Sequence, residues 1–335
     1  MSDAALNGNQ QYTNTLQDRM VSLHAGALSA SANADRPVRL AANGPFALNR
    51  SDDRREHADA YDVWLKAFGQ WGDQDADGGD IGFRYNLGGL TLGADKRLTD
   101  TVTMGVSYGQ AKNNVKTDQG LSDGDIDSGI GSIYGDYFNR RLYVTGVFSY
   151  GGNQYDLKRN IVVGATTTSV TSSHDGRLYS GALGAGYYFQ NGPWRLDPSL
   201  FLQYTRLDEE GFRERGGSAA LIVEGRKTTL LVSTLGLRAA RVIESGTGGR
   251  WIPEASLAWL HDYDIDDQMI NASYVGAPDA SFSIEGRTAD RNGAVLGLGI
   301  GYQTQAGFST LLKYNGELRD HFSAHSIIGE LRFDF

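Results

Sequence analysis

Six histidines are the side chains of this sequence best suited to proton transfer or metal binding near neutral pH. They are His24, His57, His174, His261, His321 and His325. None belongs to an HExxH motif or to another spacing typical of metal ligands. A Ser–His hydrolase needs the two side chains next to each other, whereas the neighbours His325 and Ser326 would point to opposite faces of a strand. We expect no enzymatic chemistry here, and keep a hydrolase acting at a lipid surface as a minor alternative.

Metal and cofactor sites are also weakly indicated. The acidic segments DQDADGGD (73–80) and DYDIDD (262–267) could attract calcium, but the first does not complete a spaced calcium loop with its distal Glu. The glycine stretch GLGIG (297–301) lacks the strand–turn–helix context of a phosphate loop. The sequence contains no cysteine, which excludes a disulfide framework and a thiolate zinc site. We expect neither a metal nor a cofactor.

The elements that would hold such residues are strands with one apolar face and one polar face. The last eleven residues, HSIIGELRFDF (325–335), alternate apolar or small residues with charged ones. Successive side chains of a strand point to opposite faces, so this alternation predicts a strand. The pattern recurs and predicts about twelve strands, near 61–71, 80–94, 101–112, 125–138, 141–150, 176–189, 194–204, 229–240, 250–260, 294–302, 307–314 and 325–335.

The connections between these strands alternate between long polar segments and short turns. The long ones lie at 73–79, 113–124, 158–173, 206–227, 262–292 and 316–324. Long loops on one rim, tight turns on the other and strands of about ten residues are typical of outer-membrane barrels. Aromatic residues near strand ends, such as Trp251, Tyr302 and Tyr314, suit the membrane interfaces. We predict a twelve-stranded antiparallel up-and-down transmembrane β-barrel, with both of its ends on the periplasmic side.

Composition leaves two cellular locations open. The 335 residues carry a net charge of −9, without the basic runs that nucleic-acid binding requires. No stretch approaches the roughly 20 apolar residues of a membrane helix, and MSDAALNGNQ does not resemble a signal peptide. A cytosolic protein is the plain interpretation of these features. The barrel pattern favours the outer membrane instead, in which case we expect that the chain has lost its export signal and gained a starting Met.

Residues 1–60 differ from the rest because they are polar and lack strand alternation. Within them, Asn14 can cap a helix of roughly 14–32, with Gln17 three residues further on. Leu16, Met20 and Leu23 lie on one side of this predicted helix. We therefore divide the chain into a linker with a helix at 1–60 and a barrel at 61–335.

An ordered series of segments resembles the translocator domain of monomeric autotransporters, the type V secretion family. The segments are VWLKAFGQWG, LGGLTLGADKRL, FRERGGSAALIVEG, STLGLRAAR, WIPEASLAWLHDY, YVGAPDASFSIEG and KYNGELRDHFSAHSIIGELRFDF. The resemblance implies that the N-terminal helix lies inside the pore of the barrel and joins it to an exported passenger, which this sequence does not contain. It also implies the outer membrane of a Gram-negative bacterium, with the passenger facing outside.

The resemblance also implies partners and processing. The partners would be the chain's own passenger, the barrel assembly machinery, periplasmic chaperones and outer-membrane lipid or lipopolysaccharide, with the barrel itself a monomer. Leu331, Phe333 and Phe335 would form the assembly signal on the last strand. Some family members cut their own linker at an Asn, and Asn33–Ala34 is the best candidate junction here, with Asn43–Gly44 as a second choice.

Charged residues on the polar faces of the strands are candidates for holding the pore helix. By alternation we place seven of them inside the lumen: Lys66, Arg84, Arg238, Glu254, Lys313, Glu330 and Arg332. They either form a hydrated lining or bond to polar residues of the helix, namely Asn14, Gln17, Asp18, Arg19 and Ser22. We expect a translocator plugged by its own helix. The alternative is a diffusion channel or porin in which residues 1–60 are an incidental tail.

Overall fold

The computed structural model describes residues 2–31, 61–76, 81–217, 219–246, 249–265, 269–285, 291–304 and 308–334. Within these ranges, no helix combines the length and the apolar character that crossing a membrane would require. The predicted cleavage junction Asn33–Ala34, the second choice Asn43–Gly44 and the terminal Phe335 lie outside the described residues.

Twelve antiparallel strands form one closed barrel, which confirms the predicted fold class. They are β1 (Tyr61–Gln74), β2 (Phe83–Arg97), β3 (Val102–Thr117), β4 (Ser122–Asn139), β5 (Leu142–Val163), β6 (Thr166–Tyr187), β7 (Trp194–Glu209), β8 (Arg226–Arg241), β9 (Arg250–Ile265), β10 (Asn292–Gln303), β11 (Phe308–Arg319) and β12 (Phe322–Asp334). Each strand pairs with the next along the chain, and β12 pairs with β1 from Asp62↔Asp334 to Gln74↔Phe322. Closure satisfies the backbone hydrogen bonds of both end strands, as a hydrocarbon environment requires.

Apolar rows cover the outside of the barrel. Leu90 and Leu92 of β2 are 57% and 56% exposed, whereas Thr91 between them is fully buried. Aromatic rings lie on the outside near the strand ends, and the rings of Trp251 and Tyr302 pack in a tilted arrangement with a 4.5 Å centroid separation. An apolar exterior flanked by aromatic residues is the arrangement that lipid favours.

Several segments predicted as loops are extended strands instead. The two longest strands, β5 and β6, have 22 residues each and are joined only by residues 164–165. Likewise β11 and β12 are joined by residues 320–321, and β3 and β4 by a short 3-10 turn at Asp118–Gly120. The segments 113–124, 158–173 and 316–324 are therefore hairpin tips rather than loops. Extension in a hairpin keeps their backbone groups paired in water, and the Thr-rich sequence of 166–172 favours strand geometry.

The two rims of the barrel still differ in their connections. One rim, which we call the hairpin rim, carries the protruding hairpins and a separate four-stranded sheet. This small sheet contains Phe212–Arg213, Leu221–Val223, Met269–Tyr274 and Ala277–Glu285. The other rim, the turn rim, carries short connections only, with the small strands Phe189–Asn191 and Ile243–Glu244. β1 begins at the turn rim, and β12 ends there.

The N-terminal helix α1 runs from Ser2 to Ser31, so the predicted start near residue 14 is wrong. Residues 2–13 contain Gly8 and no regular apolar stripe, which is why their sequence does not predict a helix. Packing supplies the missing stability, because Ala4, Leu6 and Tyr12 are all buried inside the barrel. A helix of 30 residues is about 45 Å long and exceeds the roughly 30 Å of the hydrocarbon core.

Candidate functional site: the helix-filled lumen

The helix crosses the lumen from one rim to the other. Its first residue, Ser2, donates a hydrogen bond to Glu209 at the hairpin-rim end of β7, with 2.6 Å between the oxygens. Near its other end, His24 lies 2.7 Å from Asp136, at the turn-rim end of β4. The N-terminus of α1 therefore opens toward the hairpins, and its C-terminal end lies on the side where β1 begins.

An apolar collar grips the first turns of the helix. Ala4, Ala5 and Leu6 pack into a cluster of buried wall side chains. The wall members are Phe68, Tyr85, Leu87, Val115, Ile126, Tyr155, Leu178, Leu207 and Ile328. The lumen thus contains an apolar section near the hairpin rim. The buried wall members come from β1 to β7 and β12, so the collar covers that side of the helix.

Hydroxyl and amide groups hold the middle of the helix. The Tyr12 hydroxyl lies 3.0 Å from Ser107 Oγ and accepts a 3.2 Å hydrogen bond from Ser132. On the opposite flank, the Asn9 amide donates to Thr205 Oγ1 at 3.1 Å. Each of these side chains is buried, so the bonds satisfy polar groups that would otherwise be costly to bury.

Below this level, six charged residues form what we call the charged cluster: Arg19, Asp62, Lys66, Asp95, Glu330 and Arg332. The Arg19 guanidinium donates to both carboxylate oxygens of Asp95 at 2.8 and 2.9 Å. It also reaches Asp62 at 2.9 Å and lies 3.8 Å from Glu330. One helix residue therefore contacts β1 and β12, whose pairing closes the barrel, and the adjacent strand β2.

Lys66 and Arg332 balance the remaining negative charge of the cluster. Lys66 donates to the backbone carbonyl of Thr15 at 2.7 Å and lies 3.1 Å from Glu330. Arg332 donates to Asp62 at 2.6 Å. Three cations thus face three carboxylates, so the cluster has no net charge although its members are largely removed from water. Paired burial of this kind avoids the penalty of an isolated ion.

A second set of charges lies on the wall across the lumen. Lys313 of β11 donates to Asp18 of the helix at 2.8 Å. Arg238 of β8 donates to Asp197 at 2.8 Å and lies 3.9 Å from Glu254. Asp18–Lys313 is thus a direct bond between helix and wall, whereas Arg238 and Glu254 pair within the wall.

At the turn rim, His24 anchors the lower helix among aromatic rings. Its ring stacks on Phe138 at a centroid distance of 4.6 Å, and its Nδ1 lies 3.1 Å from the Tyr188 hydroxyl. Together with the 2.7 Å contact to Asp136, both ring nitrogens have a partner. His24 therefore has a structural role that its sequence position did not reveal.

The seven predicted lumen residues do not all have the same surroundings. Lys66 and Lys313 contact the helix, while Glu330 and Arg332 belong to the charged cluster. Arg238 and Glu254 face the lumen without a direct bond to the helix. The placement of Arg84 inside is wrong, because its side chain is 67% exposed. Arg84 shares its strand face with the exposed Leu90 and Leu92, so it points outward near the hairpin rim.

The predicted helix residues also differ in their contacts. Asp18 and Arg19 bond to the wall, whereas Ser22 donates to the backbone carbonyl of Arg19 within the helix at 2.6 Å. Asn14 and Gln17 line a cavity beside the helix and do not bond to any described residue of the wall. On the last strand, Leu331 and Phe333 point outward and are 43% and 49% exposed.

The most important residues that the sequence did not single out are Asp62 and Asp95. Their roles depend on the depth and rotation of the helix, which no local pattern specifies. The collar had a detectable signal, because Tyr85 and Leu87 have the opposite parity to Leu90 and Leu92 within one strand. A strand that is apolar on both faces indicates lipid on one side and a packed lumen on the other.

No group of three or more His, Asp or Glu side chains in the described part of the chain is arranged to hold a metal ion. His325 and Ser326 do point to opposite faces. His325 lies outside beside Tyr314, 2.7 Å from its hydroxyl, and Ser326 is buried inside.

Comparisons with known proteins agree with this architecture. A family model described as autotransporter beta-domain matches residues 63–315. A curated relative from Serratia marcescens, named extracellular serine protease, is 26% identical over 97% of this chain, which covers 31% of that protein. The chain thus spans about a third of the length of the curated relatives it matches first.

Two solved structures share the fold. The translocator domain of the autotransporter NalP from Neisseria meningitidis has a TM-score of 0.68 at 15% identity, over 98% of both chains. The beta domain of the Bordetella autotransporter BrkA has a TM-score of 0.62 at 19% identity, over 83% of this chain and all of that one.

Proposed function

Because the chain belongs to the autotransporter β-domain family, we propose that its barrel exports an N-terminal passenger to the cell surface and then anchors it through α1. The barrel is an outer-membrane translocator, and its place is the outer membrane of a Gram-negative bacterium. The passenger itself, its activity and its orientation are parts of the proposal. We place the passenger on the outside, beyond the hairpin rim.

The observation that carries this proposal is the path of the helix. α1 enters from the hairpin rim, is bonded along its length and ends on the side where β1 starts. A segment attached before Ser2 would therefore emerge among the protruding hairpins. An incidental tail would have no reason to place Arg19 within 2.9 Å of two carboxylates on different strands.

Deletion of residues 1–34 tests the role of the helix as a plug. Single-channel conductance in planar bilayers should rise sharply in the deleted chain, because the deletion empties the lumen. The control is the full chain, inserted under the same salt and voltage. Unchanged conductance would favour the alternative of a porin with an incidental tail.

We also infer the partners that assembly requires. Barrel assembly machinery and periplasmic chaperones would receive the chain before β12 pairs with β1, with Leu331, Phe333 and Phe335 as the proposed signal. Because each barrel strand is paired on both sides, the described barrel offers no strand edge for self-association, which supports a monomer. The apolar exterior supports contact with outer-membrane lipid or lipopolysaccharide.

We do not assign catalysis to the barrel. The enzyme name of the relative belongs to a protein about three times as long, and any comparable activity would belong to the passenger. Self-cleavage of the linker at Asn33–Ala34 stays a proposal. Mass spectrometry of the purified chain after incubation would reveal it as a new N-terminus at Ala34 that is lost in Asn33→Gln.

A further inference from the structure

The outer face of β2 to β6 becomes polar near the hairpin rim. Its lower boundary is a row of outward tyrosines, because Tyr108, Tyr150 and Tyr179 lie at one level of the register and all three are exposed. Six residues further toward the hairpin tips, the outward positions of β3 and β5 hold Asn114 and Asp156. Outward aromatic rows lie at the membrane interface, so the polar face beyond them lies at the level of the lipid headgroups.

This polar face contains a cavity of about 1000 Å³. Four of its lining residues are basic and, within the described ranges, belong to no ion pair. They are Lys116, Lys158, Arg213 and Arg215. Each of the four side chains is exposed and therefore available to a ligand from outside.

Alternation places the two arginines on the outer side. Phe212 stacks on His174 with a centroid distance of 4.4 Å, and His174 stacks in turn on the buried collar residue Tyr155. Phe212 therefore faces the interior of the barrel. In this extended segment Arg213 and Arg215 project to the opposite side.

Positive charge is in excess in the cavity. Its lining contains five basic residues, of which Arg84 is the fifth, against the carboxylates of Asp123, Asp125 and Asp156. Arg84 is partly neutralised, since it lies 3.9 Å from Asp73. The other four cations can bind an anion, and arginine and lysine are the side chains suited to phosphate.

The cations are spread across several strands. Lys116 of β3 is linked to Arg215, which lies beside β6, through Asp123, Lys158 and Thr171 in the register. Neighbouring strands are about 4.8 Å apart, so these four steps separate the two ends of the row by about 19 Å. A phospholipid headgroup with a single phosphate reaches only part of such a row. A headgroup with several phosphates on linked sugars matches both the spacing and the size of the cavity.

We propose that this cavity binds the phosphorylated sugars of the lipopolysaccharide headgroup. The inference rests on the proposed function, which places the hairpin rim on the outside, where this glycolipid would meet it. The phosphate oxygens accept hydrogen bonds from Lys116, Lys158, Arg213 and Arg215. One headgroup thereby joins the hairpins of the barrel to the segment that begins the small sheet.

The double variant Lys158→Gln/Arg215→Gln tests the site. Arg97→Gln/Arg141→Gln is the matched control, because it removes the same charge from exposed positions at the turn rim. Each chain is purified in detergent, checked for folding by a heat-modifiability gel and titrated with lipopolysaccharide. The same lipopolysaccharide stripped of its phosphates, and phosphatidylglycerol, are titrated in parallel.

Lipopolysaccharide should bind the Lys158→Gln/Arg215→Gln chain about tenfold more weakly than the unmodified chain, since two exposed charge contacts are lost. The turn-rim control should bind it unchanged. Equal affinity in the two double variants overturns the proposal. It is also overturned if the phosphate-free glycolipid or phosphatidylglycerol binds the unmodified chain as tightly as lipopolysaccharide does.

The orientation of the barrel is measured separately, with Ala165→Cys at the tip of the β5–β6 hairpin. The sequence has no other cysteine, so a membrane-impermeant maleimide added to intact cells reports this position alone. Labelling together with unchanged lipopolysaccharide binding in Lys158→Gln/Arg215→Gln rejects only the headgroup site. Labelling that requires broken cells rejects the proposed orientation, and the site with it.

Discussion

At the scale of single residues, Arg19 is the contact on which the seating of the helix depends most. Its guanidinium is fully buried and neutralises carboxylates from β1, β2 and β12. Removing it leaves three carboxylates facing two cations in a site with little water. Breaking a buried ion pair by deleting one partner is far more costly than losing an exposed pair.

We therefore predict that Arg19→Gln lowers the free energy of unfolding by about 3 kcal/mol. Urea titration of the detergent-purified barrel, followed by tryptophan fluorescence, measures the change. The control is Arg206→Gln, because Arg206 forms a similar 2.9 Å pair with Asp208 on the exposed surface, worth about 1 kcal/mol or less. Equal losses in the two variants would contradict a special role for the charged cluster.

Inward glycines provide a second prediction at this scale. Gly93 lies directly opposite Trp64 in the β1–β2 register, and a Cβ atom at Gly93 would approach the indole within 2.2 Å. The glycine is needed because the ring lies flat across it. Gly105–Tyr134 and Gly186–Tyr143 repeat the arrangement on other strands.

Gly93→Ala should destabilise the barrel by about 1–3 kcal/mol, because the indole must move away from a packed position. Gly88→Ala on the same strand should have little effect, since nothing lies within 4 Å of the added Cβ. The temperature at which the folded band disappears in a heat-modifiability gel compares the two. A smaller shift for Gly93→Ala than for Gly88→Ala would refute the packing argument.

At the scale of elements, β12 has two roles that can be separated. Its inward residues Glu330 and Arg332 join the charged cluster, whereas its outward residues Leu331 and Phe333 face lipid. The described residues of the proposed assembly signal, Leu331 and Phe333, lie on the outward face. If the loss of an outward apolar residue impairs assembly more in β12 than in another strand, the cause is recognition of β12 and not the general loss of apolar surface.

We predict that Leu331→Ser reduces the amount of folded protein in the outer membrane more than Leu312→Ser does. Both leucines are outward and exposed, at 43% and 56%, on neighbouring strands. Their losses of apolar contact are thus similar, and only Leu331 belongs to the last strand. Quantitative immunoblots of outer-membrane fractions measure the difference. Equal reductions would mean that position in β12 has no added importance.

Sequence alternation predicted the strands well where lipid dictates one face. In β7, the predicted strand 194–204 is present, and Leu200 and Leu202 are exposed on the outside while Gln203 is buried inside. The alternation did not place Arg84 correctly. Its strand, β2, has apolar residues on both faces, so the pattern alone does not say which face is outside. The start of α1 was missed for a related reason: its first turns are stabilised by the collar, not by their own sequence.

At the scale of the whole molecule, the surface is divided into an apolar exterior and a bonded interior. Exposed leucines, valines and aromatic rings surround the barrel. Soluble monomers rarely expose an apolar surface of this extent to water. The described barrel strands leave no free edge, so this surface must be covered by lipid or detergent.

We accordingly predict that the purified chain stays monodisperse in detergent and aggregates when detergent is removed. Analytical ultracentrifugation before and after detergent removal measures this directly. Reconstitution into nanodiscs should restore a single species, which separates loss of lipid from irreversible unfolding. A monodisperse chain in plain buffer would contradict the transmembrane assignment.

Because β5 and β6 are long, the hairpin that they form projects beyond the membrane. Each has 22 residues and rises about 70 Å along its own axis. Tilted by about 45° in a hydrocarbon layer of roughly 30 Å, the pair would stand about 20 Å above the membrane. If the hairpin rim faces outside, as proposed, an antibody or a protease would reach the hairpin tip at Gly164 before any lipid headgroup, so this hairpin is a suitable place to insert an epitope.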